Sequence, residues 1–549
     1  MDPQSPELLH FEGSYIESGK FYSGPDAAKQ FNVLIGQHGV VKAAGIIDGF
    51  FRFVAGDHSH TWFGADHLGS YPLFYRTEPD FSWSVHAGKM DTGPVPDDQS
   101  LCCLLACGYV TGNHTLYRGI LEAEPGAVHI WDHKQRKLAT NRPANLTNPA
   151  NTSVPDFGKL DELTSALFRA ESANNEPLKM NLSLSGGLDS RIILAQALRH
   201  GTDLSAFSYG KWNTPDQRIA KKLCREFDIP WTFHNYGDHR SLIDDKQRHS
   251  RFADHAFSGR SIPHEQDYIS GHLTSPGSLI LGGHSGDLIA GSYLTPELAL
   301  AGSEKEFTDL MFYRHAQLTP VTGRRFYDAV RQRLAESFAG MDTSREGIER
   351  AALRFNQLNR QRRYIVNSVR AYTLHDIPFF LPLYTKGMVN FFSGLPAEEK
   401  LDQKFYKEFA TGFLFKGDLA LLAEIPSTRP LTAAYKPAGF SERVKFRIRN
   451  LDRYKLRKRL FRSQATGYAT PLCFMMGDTT DRSISRKRIA EHFPFLPALA
   501  AKFDDSGCPI AADHIRKLQR LWASQLNING FYVLYYLGML FGEGKGDDL

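Results

Sequence analysis

Cysteine is scarce in this chain, with six in 549 residues. Cys102, Cys103, Cys107, Cys224, Cys473 and Cys508 form no CxxC pair and no paired metal-ligand spacing, which excludes a disulfide framework and a zinc ribbon. Free thiols in a reducing compartment are expected, so the predicted location is cytoplasmic. Long apolar runs are also missing. The most apolar stretch, "FYVLYYLGMLF" at 531–541, is too short to span a bilayer and predicts a core helix. The first residues, "MDPQSPELLHFEGSY", carry acidic side chains and no apolar core, so they do not read as a signal peptide. Charge of one sign is nearly absent as an excess: 65 Lys and Arg face 60 Asp and Glu, a net +5. That balance argues for no membrane and no nucleic acid as partner. No internal repeat is visible.

What is present suits a globular protein of two or three domains, with 42% hydrophobic and 23% charged residues. One composition shift divides the chain: "NRPANLTNPANTSVP" at 141–155 is rich in Asn, Pro and Thr and reads as a linker. Upstream, short alternating segments such as "GFFRFVAGDHSHTWFGAD" (49–66) predict β-rich structure. Downstream, strands are predicted at 204–210, 231–237 and 278–283, and a helix at 216–227. This alternation implies a parallel sheet with its ligand at the strand ends. Beyond about residue 305 the pattern is mostly helical.

The most informative stretch is "LKMNLSLSGGLDSRIILAQALRH", 178–200. Leu178, Met180, Leu182 and Leu184 alternate with polar residues, the period of a strand, and after Asp189 the apolar spacing turns helical. Ser185-Gly186-Gly187-Leu188-Asp189-Ser190 is therefore a strand-to-helix turn. Its glycines let backbone N–H groups approach a ligand closely, and the helix start adds unpaired N–H groups and a positive dipole end. Ser185 and Ser190 offer hydroxyl donors to phosphate oxygens. A carboxylate beside phosphate requires a cation between them, so Asp189 points to Mg²⁺. A glycine-rich βα turn with an aspartate near a helix start is the plain alternative. No Gly-Lys-Ser/Thr follows, so this is not a P-loop.

The loop resembles the SGGxDS pyrophosphate-binding loop of the ATP pyrophosphatases, which cleave ATP between the α and β phosphates. Two further stretches narrow the resemblance: "FGADHLGSYPLFYR" (63–76) and "GYVTGNHTLYRGILEAEPGAVHIWD" (108–132) are similar to segments of class II glutamine amidotransferase domains. Together these resemble the two-part layout of the asparagine synthetase family. The fold class this implies is α/β and α+β. A β-rich, degenerate class II glutaminase-like domain (Ntn-type sandwich) is expected at 1–145. A parallel-sheet ATP pyrophosphatase domain with a helical extension is expected at 156–549. Residue 2 is Asp where the family's glutaminases carry a nucleophilic cysteine, and the first cysteine is Cys102. A domain without glutaminase activity is expected, as in β-lactam synthetase and the lasso peptide cyclases, whose nucleophile is a substrate amine.

The same resemblance assigns site residues. In "LILGGHSGDLIAGSY" (279–293), Asp287 matches the aspartate that holds Mg²⁺ together with the loop aspartate, here Asp189. His284 stands where the family has Glu or Tyr; it could take a proton from the attacking amine or hydrogen-bond beside the nucleotide. Leu184, Tyr209 and the Gly282–Gly283 backbone would line adenine and ribose, although a strand tyrosine also packs into cores. In "HDIPFFLPLYTKGMVNFFSGLP" (375–396) the family's acid and arginine are replaced by Leu374 and Asp376, and its later Asp by Leu381. This removes the acid of β-lactam synthetase from its expected place. "YKPAGF" (435–440) resembles the element whose lysine faces the reaction centre, so Lys436 would stabilise developing negative charge.

Two basic runs remain. "RQRRYIVNSVR" (360–370) could bind acidic substrate groups or phosphate. "RVKFRIRNLDRYKLRKRLFR" (443–462) has roughly helical apolar spacing and reads as an amphipathic surface helix. The expectation is an ATP- and Mg²⁺-dependent, AMP-forming amide ligase that adenylates a carboxylate and joins it to an amine. Its expected substrate is a peptide, closed into a macrolactam as in lasso peptide maturation, with a leader-handling protein as possible partner. Ring closure of a small amino acid derivative and ammonia-dependent amidation are the alternatives, and a non-catalytic nucleotide-binding scaffold is the rival of another class.

Overall fold

The computed structural model describes residues 6–90, 95–142, 153–172, 178–210, 212–235, 253, 278–295, 298, 301–344, 347–428, 431, 488–521 and 528–541. The stretch 443–462 lies outside the described residues, as do most of the expected linker and the "YKPAGF" element.

The N-terminal part is built on antiparallel strands β1 (Glu7–Glu17), β2 (Lys20–Ser23), β3 (Asp48–Gly56), β4 (His60–Ala65), β5 (Phe74–Arg76), β6 (Ser82–Ser84), β7 (Leu121–Glu122), β8 (Val128–Asp132) and β9 (Lys137–Asn141). Six of them form one sheet in the order β2-β1-β3-β4-β8-β9, and three form a second, β6-β5-β7. The central strand β3 is buried along nearly its whole length because both its faces are covered. Phe51, Phe53 and Ala55 meet Phe31, Leu34 and Ile35 of the helix Gly24–His38 on one face. On the other, Phe50 packs into the core of the following part of the chain, edge-on to Phe380 at 5.1 Å.

That following part holds the parallel sheet that the alternating pattern predicts. Strands β10 (Met180–Ser183), β11 (Leu204–Gly210), β12 (Trp231–Asn235), β13 (Leu279–Gly282) and β14 (Phe379–Phe380) lie in the order β12-β11-β10-β13-β14, and every pairing is parallel. The helices Leu188–Arg199 and Pro215–Glu226 follow β10 and β11 as expected. Beyond residue 303 the described residues are helical apart from β14 and connecting turns. "FYVLYYLGMLF" lies in the helix Ile528–Phe541, whose Val533, Leu534, Tyr536 and Leu537 are buried. Among the described residues no helix is long and apolar enough to cross a membrane.

The two parts meet through polar devices as well as apolar ones. Asp48 accepts hydrogen bonds from the backbone N–H groups of Lys386 (2.8 Å) and Gly387 (2.9 Å), capping the helix Lys386–Gly394 from outside. Asp98 does the same for the helix Pro509–Leu518, through Ile510 at 3.1 Å and Ala511 at 2.8 Å. Between them lies a buried ion triad. Glu122 meets Arg362 Nη2 at 2.6 Å and Arg363 Nη2 at 3.0 Å, and all three side chains are at most 1% exposed. Arg362 also donates to the Ala123 carbonyl (2.8 Å), and Arg363 to that of His114 (2.7 Å).

This corrects the reading of the 360–370 run as a surface for acidic ligands at three of its arginines, while Arg360 lies on the wall of a cavity shared with Asp189. Arg362 and Arg363 are spent on Glu122, and Arg370 is buried near Glu12 with its guanidinium 5.9 Å from the Tyr71 ring. A buried guanidinium needs its counter-charge within the protein, and the N-terminal part supplies it. Replacing Glu122 by Gln is therefore expected to destabilise the folded chain by about 3–5 kcal/mol. Equilibrium denaturation of the two proteins would measure it, and an unchanged midpoint would contradict the role given to the triad.

Candidate functional site

Two strand ends build the site. β10 runs into the loop 185–187 and the helix Leu188–Arg199, and β13 into the turn 283–287. The strands are neighbours in register, Ser183 beside Gly282, so the loops that follow them are brought together. A Cβ on Gly283 would lie 3.0 Å from Ser190 N, so only glycine lets the second loop cross so close to the helix start. Ser285 takes a left-handed φ of 68° and donates from Oγ to Gln361 Oε1 at 2.6 Å, which holds the turn.

At the meeting point Asp189 Oδ2 accepts the Asp287 backbone N–H at 3.1 Å, and Asp189 Oδ1 accepts the Tyr406 hydroxyl at 3.0 Å. Burial and the neighbouring Asp189 raise the Tyr406 hydroxyl well above the usual tyrosine range, so it stays a proton donor. Two carboxylates from separate strand ends form a hard-oxygen pair of the kind that holds Mg²⁺ with the help of phosphate oxygens. Among the described residues no cluster of three or more His, Cys, Asp or Glu is arranged as a metal site. The donor set therefore fits a cation shared with a ligand better than an all-protein cage.

Asp189, His284 and Asp287 open on a cavity of about 600 Å³, with Arg314, His315 and Arg360 also on its wall. His284 Nε2 lies 2.9 Å from Ser368 Oγ, and burial lowers its ring to about 4. His315 is lowered well below the usual value, first by burial and then by Arg314 and Arg360. Both imidazoles are neutral at pH 7, so the fixed positive charge of this wall comes from the arginines.

The phosphate-loop residues are ordered by one another. Ser185 N–H and Oγ reach Ser190 Oγ at 3.2 and 3.1 Å, and Gly187 N–H donates to Ser185 Oγ at 3.2 Å. Gly186 N–H donates to Asp216 Oδ1 at 2.8 Å, so a phosphate oxygen at this amide would exchange with a side chain already there. Leu184 is buried and its backbone is committed to β11, with N–H to Phe207 O at 2.9 Å and its carbonyl to Ser208 Oγ at 2.7 Å. Tyr209 is partly buried, with its ring stacked on Phe207 at 6.4 Å. Lys436 lies outside the described residues. Leu184, Ser185, Gly186, Gly187, Asp189, Ser190, Gly282, Gly283, His284 and Asp287 are thus gathered on or beside two adjacent strand ends.

Sequence reasoning missed Tyr406, Ser368, Arg314 and Asp216 as site residues, whereas Arg360 lies in the basic run it singled out. Tyr406 stands 217 residues from the aspartate it bonds, and no local pattern links them. Arg191 was missed too. It is fully buried behind the loop and donates to the carbonyls of Leu422 (2.7 Å), Ile425 (2.6 Å) and Pro426 (2.7 Å), tying a distant segment to the loop's back.

Residues 177–411 match the family model of asparagine synthase. This segment, somewhat under half the chain, contains both site loops and all five parallel strands, and the family it matches is one of ATP-dependent amide-forming ligases. No curated protein matches the chain. Among solved structures, glutamine phosphoribosylpyrophosphate amidotransferase from B. subtilis complexed with ADP and GMP is 11% identical with a TM-score of 0.18, covering 42% of this chain and 46% of its own. An allosteric regulatory enzyme of purine biosynthesis is 12% identical with a TM-score of 0.17, covering 41% and 58%. The chain thus spans about half the length of these structures, and at such TM-scores the likeness supports no argument.

Two expectations follow from the geometry. A methyl group at Gly286 would sit 2.7 Å from the Tyr406 hydroxyl and 3.1 Å from Asp189 Cγ. Gly286→Ala should therefore displace the carboxylate and weaken Mg-ATP binding about tenfold or more while leaving the circular dichroism spectrum intact. His284 should titrate near 4, not near 6.5, in a histidine NMR titration. Because its folded-state value is lowered, the unfolded chain binds the proton first. The contribution of this neutral ring to stability is complete above about 6.5 and is lost as pH falls toward about 4. A ring that titrates near 6.5 would show that it is not desolvated.

Proposed function

We propose that the chain is an AMP-forming amide ligase that activates a carboxylate with Mg-ATP and then joins it to an amine, most simply within one peptide to close a macrolactam. The observation that carries this reading is the contact between Asp287 N–H and the Asp189 carboxylate, which brings two aspartates from adjacent parallel strand ends to one cavity. Asp189 and Asp287 would hold Mg²⁺, which neutralises charge on the departing pyrophosphate. Ser185, Gly187 and Ser190 would turn their donors to phosphate oxygens, with Gly186 joining once Asp216 gives up its amide. A substrate carboxylate oxygen bonds to the α phosphorus as pyrophosphate leaves. The amine then attacks the acyl carbon, AMP departs, and the amine's proton passes to a base or solvent.

His284 is better suited to hold than to deprotonate. With its ring at about 4 and Nε2 shared with Ser368, it is a weak base for an ammonium group but a well-fixed neutral hydrogen-bonding partner. Tyr406 keeps Asp189 oriented, and Lys436 remains the candidate for charge stabilisation. The positive wall of Arg314 and Arg360 suits a site that must draw a carboxylate toward a phosphate chain.

Two things favour closure of a peptide, one against amidation with glutamine-derived ammonia and one against a β-lactam product. Cys102, Cys103 and Cys107 are all buried in the helix Asp98–Cys107, so none is placed as a glutaminase nucleophile. The altered 374–381 stretch also lacks the acid used for β-lactam closure. The test is substrate-dependent exchange of labelled pyrophosphate into ATP, with peptides bearing an internal Asp or Glu, a β-amino acid derivative, and free aspartate. Exchange with peptides alone is expected. Exchange with a small amino acid alone would replace the macrolactam reading with ring closure or amidation. Unaltered biological activity of Asp189→Asn would favour a scaffold.

A further inference from the structure

The helix Ile348–Asn356 continues as a π-helical stretch, Gln357–Ile365, and this continuous rod is a wall between two cavities. Asn356, Arg360 and Gln361 face the cavity of Asp189 and Asp287. Arg354 and Gln357 face a second cavity of about 850 Å³, which is closed on its far side by Glu124 and Arg142 of the N-terminal part. π-Helical insertions of this kind are concentrated at functional positions.

The charges around the second cavity nearly all cancel. Arg142 Nε lies 2.8 and 2.9 Å from the two oxygens of Glu124. Lys400 meets Glu349 at 2.5 Å, Arg333 meets Glu336 at 2.9 Å, and Arg350 lies 4.0 Å from Asp342. His114 accepts from Arg333 at 3.0 Å, and its ring is lowered to about 4, so it carries no charge at pH 7. Arg354 is left over: among the described residues its guanidinium has no hydrogen bond or ion pair, and Glu124, the carboxylate whose charge acts on it, already has both oxygens on Arg142. One turn on, Gln357 is 8% exposed and its Nε2 is buried without a hydrogen-bond partner. Residues at i and i+3 share a helix face, so Arg354 and Gln357 are neighbours on the cavity wall, and the Gln357 amide nitrogen lies just beneath its surface with no acceptor from the described residues.

We propose that this interdomain cavity binds a small molecule through a single carboxylate, held by Arg354 and Gln357, at a site separate from that of ATP. A flat guanidinium fork matches a carboxylate's two oxygens, and the one positive charge left over among the described lining residues balances one negative charge, whereas a phosphate dianion would exceed it. The cavity is large enough for a ligand bigger than a free amino acid.

The experiment is calorimetric titration of the full chain with N-acetylalanine and, separately, inorganic phosphate. N-acetylalanine is expected to bind and phosphate to bind more weakly. Arg354→Gln should weaken N-acetylalanine by at least about tenfold, the scale of a lost charged hydrogen bond. Asp189→Asn, which alters only the other cavity, should leave it unchanged, so the result stands whether or not the ligase reading does. Should Arg354→Gln fold poorly, Gln357→Glu keeps the size of the side chain and sets a negative charge against the ligand, and it should also abolish binding. No binding of N-acetylalanine, equal binding of phosphate, or binding indifferent to both variants would overturn the proposal.

Discussion

One carboxylate, Glu122, sets how the two parts of this molecule can be arranged. It stands in the N-terminal part, fully buried, and faces two guanidiniums that the later part presents from consecutive residues, Arg362 and Arg363. Neither arginine could be buried where it is without that charge, and Glu122 could not be buried without them. The same helical rod that carries the pair runs on to place Ser368 against His284. The position of one wall of the candidate active site therefore depends on an ion triad at the boundary with a different part of the chain.

The site itself follows from parallel pairing. Side-by-side strands deliver their outgoing loops to the same edge of the sheet, so Asp189 and Asp287 meet although they are far apart in sequence. The surrounding side chains then fix what these carboxylates can do. Tyr406 orients one, small residues at 283 and 286 allow the loops to touch, and two neutral histidines leave the arginines as the positively charged component of the cavity.

Much of this was legible before any coordinates. The strand-loop-helix around Ser185–Ser190, the parallel sheet and the core helix near the end all rest on short-range periodicity, which a sequence displays directly. The Asp189–Asp287 pair was reached through resemblance between motifs, and adjacent strands bring those motifs together. Partners set by tertiary packing were not legible. Nothing around Tyr406 marks it as Asp189's donor, and nothing around Asp216 marks it as occupying the Gly186 amide. The run at 360–370 misled for the same reason at Arg362 and Arg363, though not at Arg360, which lines the cavity. A row of arginines looks the same in sequence whether it faces solvent or a buried glutamate, and Glu122 lies 240 residues away from Arg362.

The helix caps supplied by Asp48 and Asp98 bear on how such a chain can be divided. Each satisfies the first N–H groups of a helix that belongs to the other part. An excised 177–411 segment would keep both site loops and the Thr385 cap of Lys386–Gly394 but lose the Asp48 acceptor for that helix's first two N–H groups, the counter-charge of two buried arginines, and the cover over Phe379 and Phe380. Such a fragment would expose apolar surface and stranded charge, a combination that favours aggregation over folding. The N-terminal part therefore need not catalyse anything to be indispensable: it is the missing wall of its neighbour, and deleting it would open the cavity that Glu124 and Arg142 help to line.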